Sequence, residues 1–544
     1  MSPMMTMPTE PDLKIAQANT AIARIDPVRA LQQILAGQEL AFLDVREDGE
    51  IAAGHPFFTV ACPYSRLETE VAALVPRTTV PVLLLDGGDG IADRAAAALI
   101  DMNYTQVSVV AGGFPGWCRA GLSWGGGAQL SAQARAEMPV AGAAVDSIDA
   151  DTLVCWQASG QTVCLVDCSA EEDFSQATVP GARWLPTLEL ACRLPALTDA
   201  ETCVVLSSVG NNDALTGASL LALSGFKGPV ALLEDGSCGW ALSGRDLARG
   251  NRSVALPELD RPAQVNVRAA ATDVLSSHHV PLIGHRGIDA LRCDPHRTTF
   301  LFDIRSPAEA KADPLRAFTC VPGSNLIAAT AQWIGVRRAQ VVLADDLGLR
   351  GALAAIWLRQ LGHDVHVALV DDDLRSMRAV PGAAFRIEAP ECSARDALHA
   401  VWSGKGRFLD LRPSTAFRAG HVPGSTWSVR PRLAALAADP RRPFYIIADG
   451  GPGAGLATLD LLNFGHGISH VIVGGFEELK AIGAPVESSP GVPSRRAAID
   501  SAINDAPNYQ SILKGGDDAM RQFLAWEKAL LGQLDHPEQA EFGT

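Results

Sequence analysis

The side chains of this 544-residue chain that could do covalent chemistry are cysteines, histidines and carboxylates, and their spacing limits what each could do. Eleven cysteines are scattered without a CxxC pair, some inside apolar runs such as Cys164 in TVCLVD and Cys203 in TCVVL. An odd number placed this way suits buried reduced thiols rather than a disulfide framework. Cys62 precedes a Pro-Tyr turn, Cys168 follows Asp167, and Cys118 and Cys238 flank tryptophans. None stands where a helix N-terminus would obviously activate it, so each reads as a small buried apolar residue. The nearest approach to a metal cluster is His278, His279 and His285 in SHHVPLIGH. Without a cysteine or carboxylate at ligand spacing they read as a polar loop, and no metal is expected. Four aspartates end apolar runs: Asp44 in FLDVRED, Asp167 in LVDCSAEEDF, Asp303 in LFDIRSPAEA and Asp410 in FLDLRPSTAF. Arg46, Arg305 and Arg412 follow three of them by two residues, so backbone capping or pairing with arginine is expected ahead of acid or base work.

The elements that carry these residues repeat along the chain. After each strand-ending aspartate comes a turn, AGHP with His55, ATVPGA with Pro180 and Gly181, CVPGS with Pro322 and Gly323, and AGHVPGS with His421, Pro423 and Gly424. Proline fixes φ and glycine permits positive φ, so these turns are sharp, and their histidines are expected to hold backbone. A second apolar run, a short loop and an Ala/Leu-rich helix then follow in VPVLLLDGGDGIADRAAAALIDMNY, CVVLSSVGNNDALTGASLLALSGF, VVLADDLGLRGALAAIWLRQLGH and FYIIADGGPGAGLATLDLLNFGH. Apolar runs without alternation predict strands buried on both faces, and the short strands VSVVAGG, VALLEDG, VHVALV and HVIVGG complete parallel crossover units. Trp117 and Trp240, in matching terminal segments, are expected to pack the last helix on the sheet.

Breaks in this pattern divide the chain into units at 20–125, 145–250, 270–380 and 388–487, with a helical tail at 488–544. GGGAQLSAQARAEMPVAGAA separates units one and two, and RDLARGNRSVALPELDRPAQ separates two and three. In the tail, Met520, Phe523, Leu524, Leu530 and Leu531 lie roughly on one helical side and should dock on the body or on a partner. The apolar fraction of 47% and charged fraction of 19% describe a globular chain. A net charge of −16 repels phosphate backbones and anionic lipid, so neither nucleic acid nor membrane is an expected partner. The N-terminal stretch lacks a basic and apolar signal pattern, and no apolar run is long enough to span a bilayer, which predicts a cytoplasmic protein.

The ordered set of strand-ending Asp, GHxPG-like turn, strand-loop-helix and terminal GGxxxW-like segment resembles the rhodanese, or thiosulfate sulfurtransferase, superfamily over about residues 20–487. It also resembles a narrower bacterial group with tandem rhodanese repeats, in which the second repeat typically keeps an active-site cysteine. The resemblance implies an α/β fold of four tandem rhodanese-like domains, each a parallel sheet with helices on both faces. It also implies a thiolate directly after the second strand of each unit, ringed by loop amides and a helix N-terminus that stabilise a persulfide.

Measured against the downstream helix, that cysteine position falls on Asp86, Ser208 and Asp345 in units one to three, and on Ala448 or Asp449 in unit four. The accompanying ligand-loop positions are Gly87 and Gly88; Val209, Gly210, Asn211, Asn212 and Asp213; Gly348; and Gly450 and Gly451. Asp86 and Asp345 would favour a helix N-terminus and fill the place of an anionic substrate. Ser208 cannot form a persulfide, and only Asp213 offers itself as a base. The second loop also lacks the arginine expected for an anionic donor. A rhodanese-fold phosphatase would likewise need cysteine, and the Asp86 and Asp345 loops are read as lacking the arginine an aspartyl phosphatase would want. The expected function is a sulfurtransferase-family scaffold or binding protein linked to sulfur metabolism, without thiosulfate:cyanide turnover and without a cofactor. The alternative is an active sulfurtransferase, with thiosulfate or 3-mercaptopyruvate as donor, using a non-standard cysteine. A protein partner in thiol or sulfur metabolism is expected, and the oligomeric state is left open.

Overall fold

The computed structural model describes residues 22–127, 145–199, 201–252, 255–379, 387–437, 439–494, 496–500, 509–530 and 532. The linker stretch 128–144, the extreme N-terminus and Leu531 lie outside the described residues.

The chain is an α/β protein built on separate parallel sheets flanked by helices. The first sheet contains β1 (Ala23–Ile25), β2 (Ala41–Asp44), β3 (Val60–Ala61), β4 (Val82–Leu85) and β5 (Val107–Val110), in the order β1-β5-β4-β2-β3. The second has β6 (Asp146–Ile148), β7 (Val163–Asp167), β9 (Arg183–Trp184), β10 (Cys203–Ser207) and β11 (Val230–Leu233) in the order β6-β11-β10-β7-β9. Beside it, β8 (Ala177–Thr178) and β12 (Ala248–Arg249) form a small antiparallel ribbon. A third sheet orders β14 (Thr319–Cys320), β13 (Thr299–Asp303), β15 (Gln340–Asp345) and β16 (Asp364–Leu369) side by side, with a bridge from Leu282 to Val367 at its edge. The fourth, with β17 (Glu391–Cys392), β18 (Arg407–Asp410), β19 (Thr426–Trp427), β20 (Phe444–Ile447) and β21 (His470–Ile472), runs β17-β21-β20-β18-β19. Every residue of β4, β10 and β15 is buried, which is why these strands read as unbroken apolar runs: parallel sheets are covered on both faces.

The helices that matter for the loops are α1 (Ile91–Asp101), α2 (Glu171–Gln176), α3 (Thr187–Arg193), α4 (Asn212–Leu223), α5 (Gly236–Leu242), α6 (Arg261–Ser277), α7 (Pro307–Ala312), α8 (Gly323–Ala328), α9 (Leu349–Gln360), α10 (Pro452–Asn463) and α11 (Tyr509–Ala529). α6 begins inside the segment read as a separator; Asp260 caps it by accepting from Ala263 N–H at 2.8 Å, and Pro262 stands in its first turn. The tail helix α11 breaks at Gly516 (φ 67°, ψ −155°) and docks on the body. Tyr509, Ile512, Met520 and Leu524 pack with Ala177 and Cys238, while Leu530 and Trp526 join the core of the first sheet.

One apolar core runs through the first three sheets, and buried polar contacts tie the units together. Glu39 binds Arg297 at 2.8 Å and the Thr298 N–H at 2.9 Å. Arg430 donates to both oxygens of Glu68 at 2.6 and 2.7 Å and to Asp460 at 2.6 Å. Trp117 and Trp240 are buried, and their indoles donate to Ser123 O and Asp246 O.

Candidate functional site

Parallel register brings the strand-ending aspartates and the loops to the same edge of each sheet. Asp44 pairs with Leu85, Asp167 with Ser207, Asp303 with Ala344 and Asp410 with Ile447, so each loop starts one residue beyond a neighbour of the aspartate. In three units the arginine two residues on folds back on this carboxylate: Arg46 Nη2 on Asp44 at 2.5 Å, Arg305 on Asp303 at 2.8 Å and Arg412 on Asp410 at 2.6 Å. Asp167 has no such arginine and accepts instead from Thr178 Oγ1 and, at 2.9 Å, the Ser169 N–H. His55 is locked by Pro56 O, Thr59 and Gly127 O, and burial lowers its pKa; His421 stacks on Phe417 and meets Glu487 at 3.2 Å. Both hold backbone. His285 sits 3.1 Å from Asp373, and the carbonyls of His278 and His279 accept from Arg359.

The four loops differ in what fills them. In the first, Asp86 is 4% exposed; its Oδ1 accepts from Gly88 N–H at 2.9 Å, and its Oδ2 from Gly90 and Ala92 N–H at 3.0 and 3.1 Å. Gly87 lies beside the Arg46 side chain. The inward amides that could cradle an anion thus bind the chain's own carboxylate.

In the second loop, Ser208 Oγ donates to Gly210 O at 2.9 Å and accepts from Ala214 N–H at 3.3 Å, so its partners are backbone groups and not Asp213. Asp213 is half-buried, and desolvation together with Asp173, Glu527 and Asp167 pushes its carboxyl up to about 7. The Val209 carbonyl accepts from Cys238 N–H, and the Asn211 side chain donates to Asp235 Oδ1 and accepts from the Asp235 N–H, both at 3.0 Å. The N–H groups of Asn211 and Asn212 point to Glu527 of α11.

The third loop corrects the sequence reading that it lacks an arginine. Arg350, in the first turn of α9 after the positive-φ Gly348, turns back onto Asp345 with Nε–Oδ1 at 3.0 Å. It is only 1% exposed because Asp346, Glu189 of α3 and Glu309 of α7 also surround it, at 2.5, 2.8 and 2.7 Å. Burial alone would raise the Glu309 carboxyl, but Arg350 prevails and holds it down at about 2. Asp345 Oδ2 takes the Gly351 N–H at 3.1 Å. The guanidinium is saturated by carboxylates, which leaves it no valence for a phosphate.

The fourth loop is the open one. Ala448 is half-buried, Asp449, Gly450 and Gly451 are exposed, and the two glycines carry φ of 98° and 84° with open space around them.

Of the four cysteines beside turns or tryptophans, Cys62, Cys168 and Cys238 are buried as expected, whereas Cys118 is half-buried; Cys155, Cys293 and Cys320 are exposed. Cys168 Sγ packs against α4 at Gly217, and Cys62 and Cys238 are fully buried. Burial raises all three, Cys238 to about 12 with Glu527 and Asp235 adding to the shift. A thiol held this way is protonated and a poor nucleophile.

Residues 28–120 and 149–243 match the sequence model of the rhodanese-like domain. The crystal structure of thiosulfate sulfurtransferase from Pseudomonas aeruginosa is similar over 96% of this chain and 99% of its own, with 27% identity and a TM-score of 0.84. A crystal structure of the Alr3790 protein from Anabaena sp. covers 18% of this chain and 82% of its own at 24% identity, with a TM-score of 0.17. No curated protein matches. The first and second loops described above lie inside these two matched stretches. Among the described residues, no helix is long and apolar enough to cross a membrane.

Proposed function

We propose that the chain is a rhodanese-related protein without thiosulfate:cyanide sulfurtransferase turnover, acting as a cytoplasmic scaffold or binding protein linked to thiol or sulfur metabolism. What carries the reading is the first loop, where the Asp86 carboxylate takes the three amides that a persulfide would need. Ser208, Asp345 and Asp449 are oxygen side chains and Ala448 is a methyl. Sulfur cannot be relayed through any of them. The test is transfer from thiosulfate or 3-mercaptopyruvate to cyanide, with mass analysis for a persulfide. Turnover abolished by alkylation would overturn the reading.

The similarity to a protein described as a thiosulfate sulfurtransferase supports a second reading, an active transferase using a non-standard cysteine. Cys62, Cys168 and Cys238 are then the candidates, and single replacement of each identifies the nucleophile. For Cys238 to serve, α11 has to lift from it, since Tyr509, Ile512, Met520 and Leu524 share its apolar cluster.

A further inference from the structure

The second unit lacks a lock that the other three carry. In units one, three and four the arginine beyond the strand-ending aspartate also ties that carboxylate to a carbonyl just past the next helix. Arg46 Nη2 reaches Gly54 O at 2.8 Å, Arg305 Nη2 reaches Asp313 O at 2.6 Å, and Arg412 Nη2 reaches Gly420 O at 2.8 Å. In units one and four the guanidinium carbon also lies over an aromatic ring, 4.3 Å from the centre of Phe114 and 3.7 Å from that of Phe476. Phe114 and Phe476 are each the second residue of a helix that starts at a positive-φ glycine, Gly113 or Gly475.

Unit two keeps the frame and drops the lock. The Trp184 indole donates to Ser169 O at 3.0 Å just as the Trp427 indole donates to Arg412 O at 2.9 Å, so Ser169 stands where Arg412 does. Ser237 is the second residue of α5, after the positive-φ Gly236, and so takes the place of Phe114 and Phe476. Among the described residues no arginine or lysine pairs with Asp167, which is 1% exposed, and burial raises its carboxyl. Two serines have vacated the volume of an arginine and a phenylalanine, and a buried gap of that size would be costly if it stayed open.

The tail fills it. Tyr509, the first residue of α11, is 4% exposed and shares an apolar cluster with Ala177, which follows α2 as Gly54 and Gly420 follow their helices, and with Cys238, next to Ser237. Tyr509 brings bulk to this slot but no charge. Farther along α11, Glu527 accepts from the N–H groups of Asn211 and Asn212, and a Cβ at Gly210 would collide with Glu527 Oε2 and the Phe523 ring. The helix is interrupted at Gly516 between these two attachments.

We propose that α11 is a displaceable lock of unit two: Tyr509 occupies the slot that an arginine and a phenylalanine occupy in units one and four, so the tail and such a pair exclude each other. Release of the tail uncovers Cys238 and the second loop together. This goes beyond the function proposed above, since the lock is exchangeable whether or not sulfur is transferred.

The full chain carrying both Ser169→Arg and Ser237→Phe tests this, with amide exchange read at Ile512, Met520 and Leu524 of the tail and at Val204, Val205 and Leu206 of β10. The double substitution should complete the lock within unit two and expel Tyr509. Tail amides are then expected to exchange about tenfold faster or more while β10 stays protected. Ser169→Ala with Ser237→Ala fills nothing and should leave the tail docked. Tail protection retained in the bulky double variant overturns the proposal, and so does equal release by the alanine pair. Should the bulky variant lose its β10 protection, Tyr509→Ala decides. The Ser169 N–H, which donates to Asp167 at 2.9 Å, should then exchange about tenfold faster or more, while the matching N–H groups of Arg46 and Arg412 hold. Unchanged exchange at Ser169 would mean that the slot does not depend on α11, and the proposal falls.

Discussion

Replacing Asp86 by alanine removes one carboxylate and leaves the N–H groups of Gly88, Gly90 and Ala92 without their acceptor. A hydrogen bond to a charged group contributes roughly 1.5–3 kcal/mol. The three bonds share one carboxylate, and water can reach a vacated loop, so their energies do not add; a net cost of about 3 kcal/mol is expected. In the fourth unit the strand register puts Ala448 at the place of Asp86, and Asp449 one residue beyond it is exposed, so Asp449→Ala should cost less than about 0.5 kcal/mol. Because units of a multidomain chain need not unfold together, the assay should be local. Hydrogen exchange at Gly88, Gly90 and Ala92 should accelerate by about a hundredfold in Asp86→Ala, since each 1.4 kcal/mol is a factor of ten. The fourth loop should be unchanged by either substitution. If Asp86→Ala leaves those amides protected, or if Asp449→Ala is as costly, a carboxylate is not what satisfies the first loop.

Other perturbations test the remaining sites. Asp86→Cys puts a thiol among the same amides, and attack of its thiolate on the sulfane sulfur of thiosulfate, with cleavage of the donor S–S bond and release of sulfite, should add one sulfur atom to the protein mass. A folded, unmodified variant would count against those amides as a persulfide cradle. Arg430→Ala strands Glu68 and Asp460 between the first and fourth units and should cost about 3–5 kcal/mol, read as earlier melting of the fourth unit; a loss under about 1 kcal/mol would mean the network is solvated. Asp213 makes stability fall with pH: its folded pKa of about 7 lies above the unfolded value near ~3.9, so its contribution is intact below about 4 and lost as pH rises through about 7. Asp213→Asn should therefore stabilise by on the order of 4 kcal/mol at pH ~8 and hardly at all at pH ~4, and an equal effect at both would refute the assignment. Gly210→Ala should push α11 away and red-shift Trp526, whose indole donates to Gly126 O at 3.1 Å; unchanged emission would show that the loop yields instead.

How much of this was legible in the sequence follows the range of each interaction. The pairing of Asp44 with Arg46, repeated at Asp303 and Asp410, is written two residues apart at a strand end, where geometry leaves the arginine little choice. The strands β4, β10 and β15 announce themselves because burial on both faces removes alternation. α6 escaped notice because its sequence is polar and its start is marked by only a cap and a proline, Asp260 and Pro262. Arg350 was in plain view five residues after Asp345. Its fate, however, depends on Glu189, which is 161 positions away and brought near only by the packing of α3 against the third unit. Glu527 lies 316 positions from Asn211, and no local pattern carries that contact.

The same distance argument bears on how the loops came to differ. The first three present inward N–H groups at the edge of a parallel sheet, and buried N–H groups must find acceptors. A persulfide anion would meet that demand in a transferase; here Asp86 meets it from within the loop, and Asp345 accepts the Gly351 N–H while also accepting from Arg350. A carboxylate fixed in this way cannot leave without breaking the loop, which makes those two units permanent structure. The second loop meets the demand with Glu527 on a helix that is joined to the body by side-chain packing and by the Lys528–Asp235 pair. Of the three filled loops, only this one can be emptied by a rigid movement that leaves its own backbone intact, so a ligand-dependent response of the chain should be sought there before the others.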